Sequence, residues 1–315
     1  MNQKTARMIL PFALGIAILA VSTASILIRL AQRDASSITI AALRLTIAAV
    51  LLAPVVMTRH LAELRALRRN EVLWAAASGA FLALHFGTWI TSLEYTTVAS
   101  SVVLVSTGPL WVALLSMLVL HERVGGAALL GLGLAITGGV VIAGGEACTW
   151  NGGLHCSQPD VTGGGRALWG NFLALAGAWA VSGYLVIGRR LRSTLSLMPY
   201  IFLVYGFAAI GLLIAAVAMG DLRLALPPVT YGWIILLAIV PQLVGHSTYN
   251  WALAYLPAAF VAVTTLGEPV GSAILAYIIL HERPGGLVLV GALLVLAGIY
   301  ISTRAARARA QGEAA

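Results

Sequence analysis

The chain has 315 residues, 60% of them hydrophobic and only 10% charged, with a net charge of +8 and a mean hydropathy of +0.95. A soluble domain carries about 25% charge and could not bury this much apolar surface in one core, so a water-soluble globular class is excluded. The basic excess does not point to nucleic acid, because it lies in short segments between long apolar runs.

A bilayer crossing needs about 20 mainly apolar residues. Ten such runs fill the chain, at 8–28, 37–58, 71–93, 97–120, 124–145, 167–188, 197–219, 230–254, 257–280 and 285–303. The expected class is an all-α integral membrane protein. The first run follows Lys4 and Arg7, as in a signal peptide. It is too long for such a segment and further runs follow, so it is read as a retained helix.

The second run carries Arg44 about two turns in. An arginine there attracts a carboxylate, snorkels to the surface, or pairs with an acid such as Asp34 or Glu94; the structural roles are preferred. After it comes the basic loop RHLAELRALRR at 59–69, an orientation signal and a surface for anionic lipid. With the N-terminus in the cytoplasm, thirteen Lys and Arg fall inside and five outside, which fits the positive-inside rule with both termini cytoplasmic.

In the third run His85 and Trp89 are four apart and share a helix face. The fourth run is interrupted by Thr107-Gly108-Pro109 and ends in His121-Glu122-Arg123. Proline removes a backbone donor and clashes with the preceding turn; the hydroxyls of Ser106 and Thr107 can fill the gap. The fifth and tenth runs are rich in glycine. No strand precedes either, so neither is a phosphate loop, and small residues serve close helix approach.

The linker 146–166, EACTWNGGLHCSQPDVTGGGR, has no helical period. It holds the only cysteines, Cys148 and Cys156, which the topology places outside the membrane, where they are expected to form a disulfide. Two unpaired thiols are the alternative. The eighth run presents His246, Tyr249 and Asn250 on one face. The ninth contains TTLGEPVGS, with Thr265, Glu268 and Pro269, and ends in His281-Glu282-Arg283. A carboxylate in mid-span is costly and by default a functional-site hypothesis. Glu268 is read as a proton carrier or a partner for a substrate amine. The alternative, a structural acid bonding the broken helix, stays open at this point.

The two halves repeat in register. LVLHERVGG at 118–126 recurs as IILHERPGG at 278–286, 160 positions later. Pro109 then matches Pro269, Trp89 matches Tyr249, Gly131 matches Gly291 and Gly138 matches Gly298. Each copy has five runs, an odd number, so the second copy enters the membrane from the opposite side. The organisation read from this is a first repeat at 1–145, an extracytoplasmic linker at 146–166, a second repeat at 167–303 and a cytoplasmic tail at 304–315. The third and eighth runs carry related polar-aromatic faces. Pro109 and Pro269 mark paired helix breaks, the strongest sequence pointer to a transporter's site. The acid is asymmetric, since Gly108 stands where the second copy has Glu268.

The runs AALRLTIAAVLLAP (41–54), LEYTTVASSVVLVSTGPLWVALLSMLVLHERVGG (93–126) and LAYLPAAFVAVTTLGEPVGSAILAYIILHERPGG (253–286) resemble the EamA-like family of the drug/metabolite transporter superfamily, whose relatives include YddG-type amino-acid exporters. The resemblance implies a ten-helix inverted repeat that exports small organic solutes across a bacterial inner membrane.

The expected function is therefore secondary transport by alternating access, with amino acids, aromatic or hydrophobic, as the foremost substrates. The transport residues are Glu268, His85, Trp89, His246, Tyr249, Asn250, Thr107 and Thr265, with hinges at Pro109 and Pro269. Trp111, Trp179, Tyr184 and Tyr205 are weaker lining candidates, and Trp74 and Trp233 are interfacial anchors. The His-Glu-Arg triplets read as helix-end salt bridges and gate hinges. Efflux of lipophilic cations is the alternative, and a channel is a further one. No metal cluster, cofactor motif or Ser-His-Asp arrangement supports an enzyme. The expected partners are the solute, the bilayer and protons, with a monomer or homodimer as the unit.

Overall fold

Helix ends follow from ordinary capping chemistry. The computed structural model describes residues 3–120, 126–150, 154–156, 164–256 and 258–312. Its helices are α1 (Gln3–Ser22), α2 (Ala24–Ala31), α3 (Ser37–Arg59), α4 (Leu61–Arg65), α5 (Arg69–Ser92), α6 (Val98–Val105), α7 (Gly108–Leu120) and α8 (Gly126–Ala147). They continue as α9 (Gly164–Leu191), α10 (Leu197–Ala218), α11 (Pro228–Leu237), α12 (Ser247–Ala252), α13 (Ala258–Thr264), α14 (Gly267–Leu275) and α15 (Gly286–Gly312). A π-helical segment, Ala238–His246, joins α11 to α12, and a second, Ala276–Leu280, follows α14. The Ser36 hydroxyl accepts from Thr39 N at the start of α3, and the Thr97 hydroxyl accepts from Ser100 N at the start of α6. Pro228 opens α11 at a position where its missing N–H costs nothing.

Among the described residues seven helices are long and apolar enough to cross a membrane: Ile9–Ala31, Ser37–Arg59, Arg69–Ser92, Gly165–Leu191, Leu197–Ala218, Pro228–Ala252 and Phe260–Leu280. Val98–Val112, Gly133–Ile142 and Gly286–Ile301 are shorter apolar helices. Large apolar side chains cover the outside, with Phe12 74% and Leu19 72% exposed. That surface suits hydrocarbon and is foreign to a soluble monomer.

The two halves interlock. The first long helix of each half packs on the other half: α1 lies against the π-helical segment, α12 and α14, and α9 lies against α5, α6 and α7. α3 pairs with α10, and α8 with α15. The α8–α15 seam is made of glycine. A Cβ added to Gly138 would lie 2.6 Å from the Gly291 carbonyl oxygen, and one added to Gly291 would lie 2.6 Å from that of Gly138. Gly298 likewise meets Gly131. Residue 131 thus touches 298 while 138 touches 291, the reciprocal pattern that a two-fold relation between repeats requires. The reading of these helices as packing elements agrees with this seam.

The linker holds two short strands, β1 (Cys148–Trp150) and β2 (Leu154–Cys156). They pair antiparallel, with Cys148 directly opposite Cys156.

Candidate functional site: a cavity between two broken helices

Both expected breaks exist. α6 ends at Val105, Thr107 N turns back to the Leu104 carbonyl at 3.2 Å, and α7 begins at Gly108. α13 ends at Thr264 and α14 begins at Gly267, with Glu268 N on the Thr265 carbonyl at 2.9 Å. Carbonyls freed by a break must be satisfied inside the protein, because hydrocarbon offers no donor. Hydroxyls do this locally. Thr107 Oγ1 donates to Leu104 O at 2.7 Å, Thr264 Oγ1 to Val261 O at 2.6 Å and Thr265 Oγ1 to Ala262 O at 2.7 Å. The sixth span contributes Ser182, whose hydroxyl lies 2.9 Å from Gly108 O and 2.8 Å from Ala178 O.

A cavity of about 60 Å³ lies between the breaks. Ser106 and Pro109 line it from the first break, and Thr265 and Glu268 from the second. His85 and Trp89 of α5 face it together with His246, Tyr249 and Tyr184. A water needs roughly 10–15 Å³ measured this way, so the space admits a few waters and a larger solute needs it to widen.

The rings form a continuous wall. His85 and Trp89 stack with centroids 5.8 Å apart, His85 meets His246 edge-on at 6.5 Å, and His246 meets Tyr249 at 6.4 Å. His85 Nδ1 is 2.9 Å from the Gly177 carbonyl. A carbonyl only accepts, so Nδ1 carries a proton and the neutral ring keeps Nε2 as an acceptor. Among the described residues Trp89 Nε1 and the Tyr249 hydroxyl are buried without a hydrogen-bond partner. Among the described residues no hydrogen bond or ion pair engages the Glu268 carboxyl. The wall therefore offers two free donors and one free carboxyl to an occupant.

Of the residues singled out in the sequence, His85, Trp89, His246, Tyr249, Thr265, Glu268 and Pro109 line the cavity. Pro269 is buried beside it. Asn250 stands one layer back. It accepts from the Tyr184 hydroxyl at 2.6 Å and donates to Tyr205 at 3.2 Å, so it positions Tyr184, which does line the space. Thr107 is on the far side of its break. It lines a second, strongly apolar groove of about 430 Å³ with Trp111, whose Nε1 donates to Thr107 Oγ1 at 3.1 Å. Trp179 is 48% exposed and does not line the cavity. The backbones of Cys148 and Cys156 pair, while their side chains lie outside the described part of the structure. His121-Glu122-Arg123 also lies outside the described residues.

Arg44 departs from its expected place. It neither snorkels nor pairs with Asp34 or Glu94. Asp34 accepts from Thr230 at 2.5 Å, and Glu94 accepts from Ser37. Arg44 is wholly buried: Nε donates to Gln242 Oε1 at 2.8 Å and its guanidinium lies 4.1 Å above the Phe86 ring. The reason is α3's partner. Its inner face packs on α10 and the π-helical segment, not on the acids at its start. Gln242 escaped the sequence reading, while the register matches Phe86 to His246. The default that an intramembrane charge is functional was the signal that could have found Arg44.

The second triplet follows expectation in part. The helix before it ends at His281 in the left-handed conformation, φ 57°. Glu282 Oε1 then meets Arg29 Nη2 at 2.7 Å, and Oε2 accepts from Val98 N at 3.0 Å. This is a helix-end salt bridge between the halves.

Among solved structures, a crystal structure of a protein 20% identical to this chain matches with a TM-score of 0.63, over 94% of this chain and 96% of that one. At that identity the likeness speaks for the fold alone. No curated protein matches the chain. A sequence profile described as the EamA-like transporter family matches twice, at residues 8–144 and 168–304.

Proposed function

The chain belongs to the EamA-like transporter family, and from that premise we propose that it exports small organic metabolites, foremost aromatic or hydrophobic amino acids, across a bacterial inner membrane by alternating access. The observation that carries this reading is the cavity itself. It lies where one broken helix from each half meets the other, and it is walled by aromatic rings with a few free polar groups. Small-molecule sites have that chemistry, and inverted-repeat transporters place theirs at such a junction. The three shorter apolar helices complete ten crossings in this scheme, with both termini cytoplasmic and the second repeat inverted.

The halves rock about Pro109 and Pro269. The Arg29–Glu282 bridge then closes the outer side. The register places Arg189 and Glu122 as its inner counterpart, and Arg189 does repeat one contact, donating to Leu253 O as Arg29 donates to Leu93 O 160 positions earlier. Glu268 exchanges the coupling proton. Cys148 and Cys156, opposed in the hairpin, form an extracytoplasmic disulfide.

Purified protein in lipid vesicles tests the reading. Saturable uptake of labelled phenylalanine or leucine, inhibited by the unlabelled compound, is the expected result; unitary currents or no saturation would refute it. Efflux of lipophilic cations is the second reading, favoured by a bare carboxyl among aromatic rings. Equal or better competition by a quaternary ammonium dye would replace the first reading with this one.

A further inference from the structure

Two ionisable groups of opposite sign stand without a bonding partner in the middle of the molecule, among the described residues. On α3, Arg44 uses Nε on Gln242 and rests its guanidinium on Phe86, but Nη1 and Nη2 have no partner among the described residues. Across the aromatic wall, the Glu268 carboxyl faces the cavity without a hydrogen bond. Phe86 bridges the two places, since its ring meets that of His246, a lining residue, at 5.3 Å. Among the described residues Arg44 makes no ion pair with Glu268, and the Phe86 ring is what stands between its guanidinium and the cavity wall.

A guanidinium is built to grip a carboxylate through two parallel N–H groups. Leaving that edge bare in a dry interior is costly unless some state of the protein supplies its partner. We propose that Arg44 is the residue that selects the substrate's carboxylate, with Glu268 receiving its ammonium, so that the site takes zwitterions in preference to cations or anions.

The charge count supports this assignment. A zwitterion offers one group to each bare charge and adds no net charge to the low-dielectric centre. A cation satisfies Glu268 and leaves Arg44 bare beside a second positive charge. An anion leaves Glu268 bare in the same way. Arg44 lies on Phe86 and does not line the cavity as it stands, so the assignment requires that the widening which admits a solute also bring its Nη edge to it. The aromatic wall accommodates the side chain, and the Trp89 and Tyr249 donors remain for the carboxylate's other lone pairs.

The inference rests on the transport reading above. It is tested with the full chain in vesicles, by competition against labelled phenylalanine and labelled leucine. The competitors are each unlabelled amino acid, its matching amine and its matching deaminated acid. In the wild type the amino acid is expected to compete at least tenfold better than either analogue. Arg44→Gln is expected to lose at least tenfold for the amino acid and little for the amine, which collapses the ratio. Arg44→Lys, which keeps the charge without the fork, should fall between. Glu268→Gln should collapse the ratio to the deaminated acid instead, and it decides the matter if Arg44→Gln does not fold. Equal wild-type competition by the amine, or an equal loss for all three compounds in Arg44→Gln, overturns the assignment while leaving transport intact. Absence of saturable flux of any solute in the wild type removes both.

Discussion

Arg29 of the first half and Glu282 of the second form an ion pair at 2.7 Å, and the same carboxylate holds the first amide of α6 through Val98. One side chain thus ties the end of the second broken helix to the start of the first. His281 makes this possible by ending the helix in a left-handed turn, a conformation that histidine tolerates better than most residues with a Cβ. Glu282→Gln is expected to weaken the tie by about 1–2 kcal/mol, since a charged acceptor is lost while the shape is kept. Outward leak is the functional readout. A cysteine placed on the cavity side of the bridge should become more reactive to a membrane-impermeant thiol reagent in Glu282→Gln, and the reversed pair Arg29→Glu with Glu282→Arg should restore part of the protection. Unchanged reactivity in the single variant means that the bridge does not hold the outer side shut.

The glycine seam makes a sharper structural prediction. The Cβ of Gly138→Ala would press on the Gly291 carbonyl oxygen, a backbone atom that cannot swing aside. Overpacking of this kind costs about 1–3 kcal/mol. Gly133→Ala on the same helix meets nothing within 4 Å and should stabilise slightly, because alanine loses less backbone freedom in a helix. Melting of the two variants in detergent should therefore move in opposite directions. No fall in Gly138→Ala would mean that the seam is looser than the contacts state.

The breaks and the cavity were legible because their signals are local and come twice. Proline interrupts a helix wherever it lies, the 160-residue register pairs Pro109 with Pro269, and a four-residue spacing puts His85 and Trp89 on one face. The failures are also physical. Thr107 sits in the break, where helical period no longer says which way a side chain points, and it faces the outer groove. Asn250 and Tyr249 are neighbours on one turn, and only tertiary bonds to Tyr184 and Tyr205 decide which of them reaches the cavity. Arg44's partner lies 198 residues away in a π-helical segment. Such a segment shifts side-chain phase without leaving a pattern in the sequence, so neither Gln242 nor the burial of Arg44 could be read in advance.

Glu268→Gln keeps the volume of the side chain and removes its capacity to exchange a proton. If Glu268 carries the coupling proton, wild-type uptake into vesicles is driven by an imposed pH gradient and the variant's uptake is not. Exchange of labelled for unlabelled solute, which needs no net proton movement, should persist in the variant at saturating solute, with a raised KM because the ammonium has lost its charged partner. A pH-gradient response that survives the substitution assigns the coupling elsewhere.

The carboxyl of Glu63 in α4 accepts from Ser196 N at 2.7 Å and from the Ser196 hydroxyl at 2.6 Å, with His60 Nδ1 at 3.5 Å. Partial burial works against its charge, but the two Ser196 bonds and His60 outweigh that and hold the carboxyl below its ordinary value of 4.5. A depressed carboxylate value means that the native state favours the charged form. Its contribution is complete above about pH 4.5 and is lost as pH falls through the lower native value. The melting temperature of Glu63→Gln should lie below that of the wild type by a constant interval at neutral pH. That interval should close as the pH falls below about 4.5. An interval that does not change with pH would assign the effect of the substitution to packing.

Tyr249 separates binding from stability. Its hydroxyl is buried without a partner among the described residues, and an orphaned polar group of this kind costs about 1–3 kcal/mol of desolvation. Tyr249→Phe removes that cost and leaves the ring contact with His246 in place. The empty variant should therefore melt at the same temperature as the wild type or higher. If the hydroxyl exists to meet a solute, the same change should raise the transport KM about tenfold with little effect on the maximal rate, because the donor is then missing only when the cavity is occupied. The two readouts are expected to move in opposite senses. A hydroxyl that served the fold alone would lower the melting temperature and leave KM untouched.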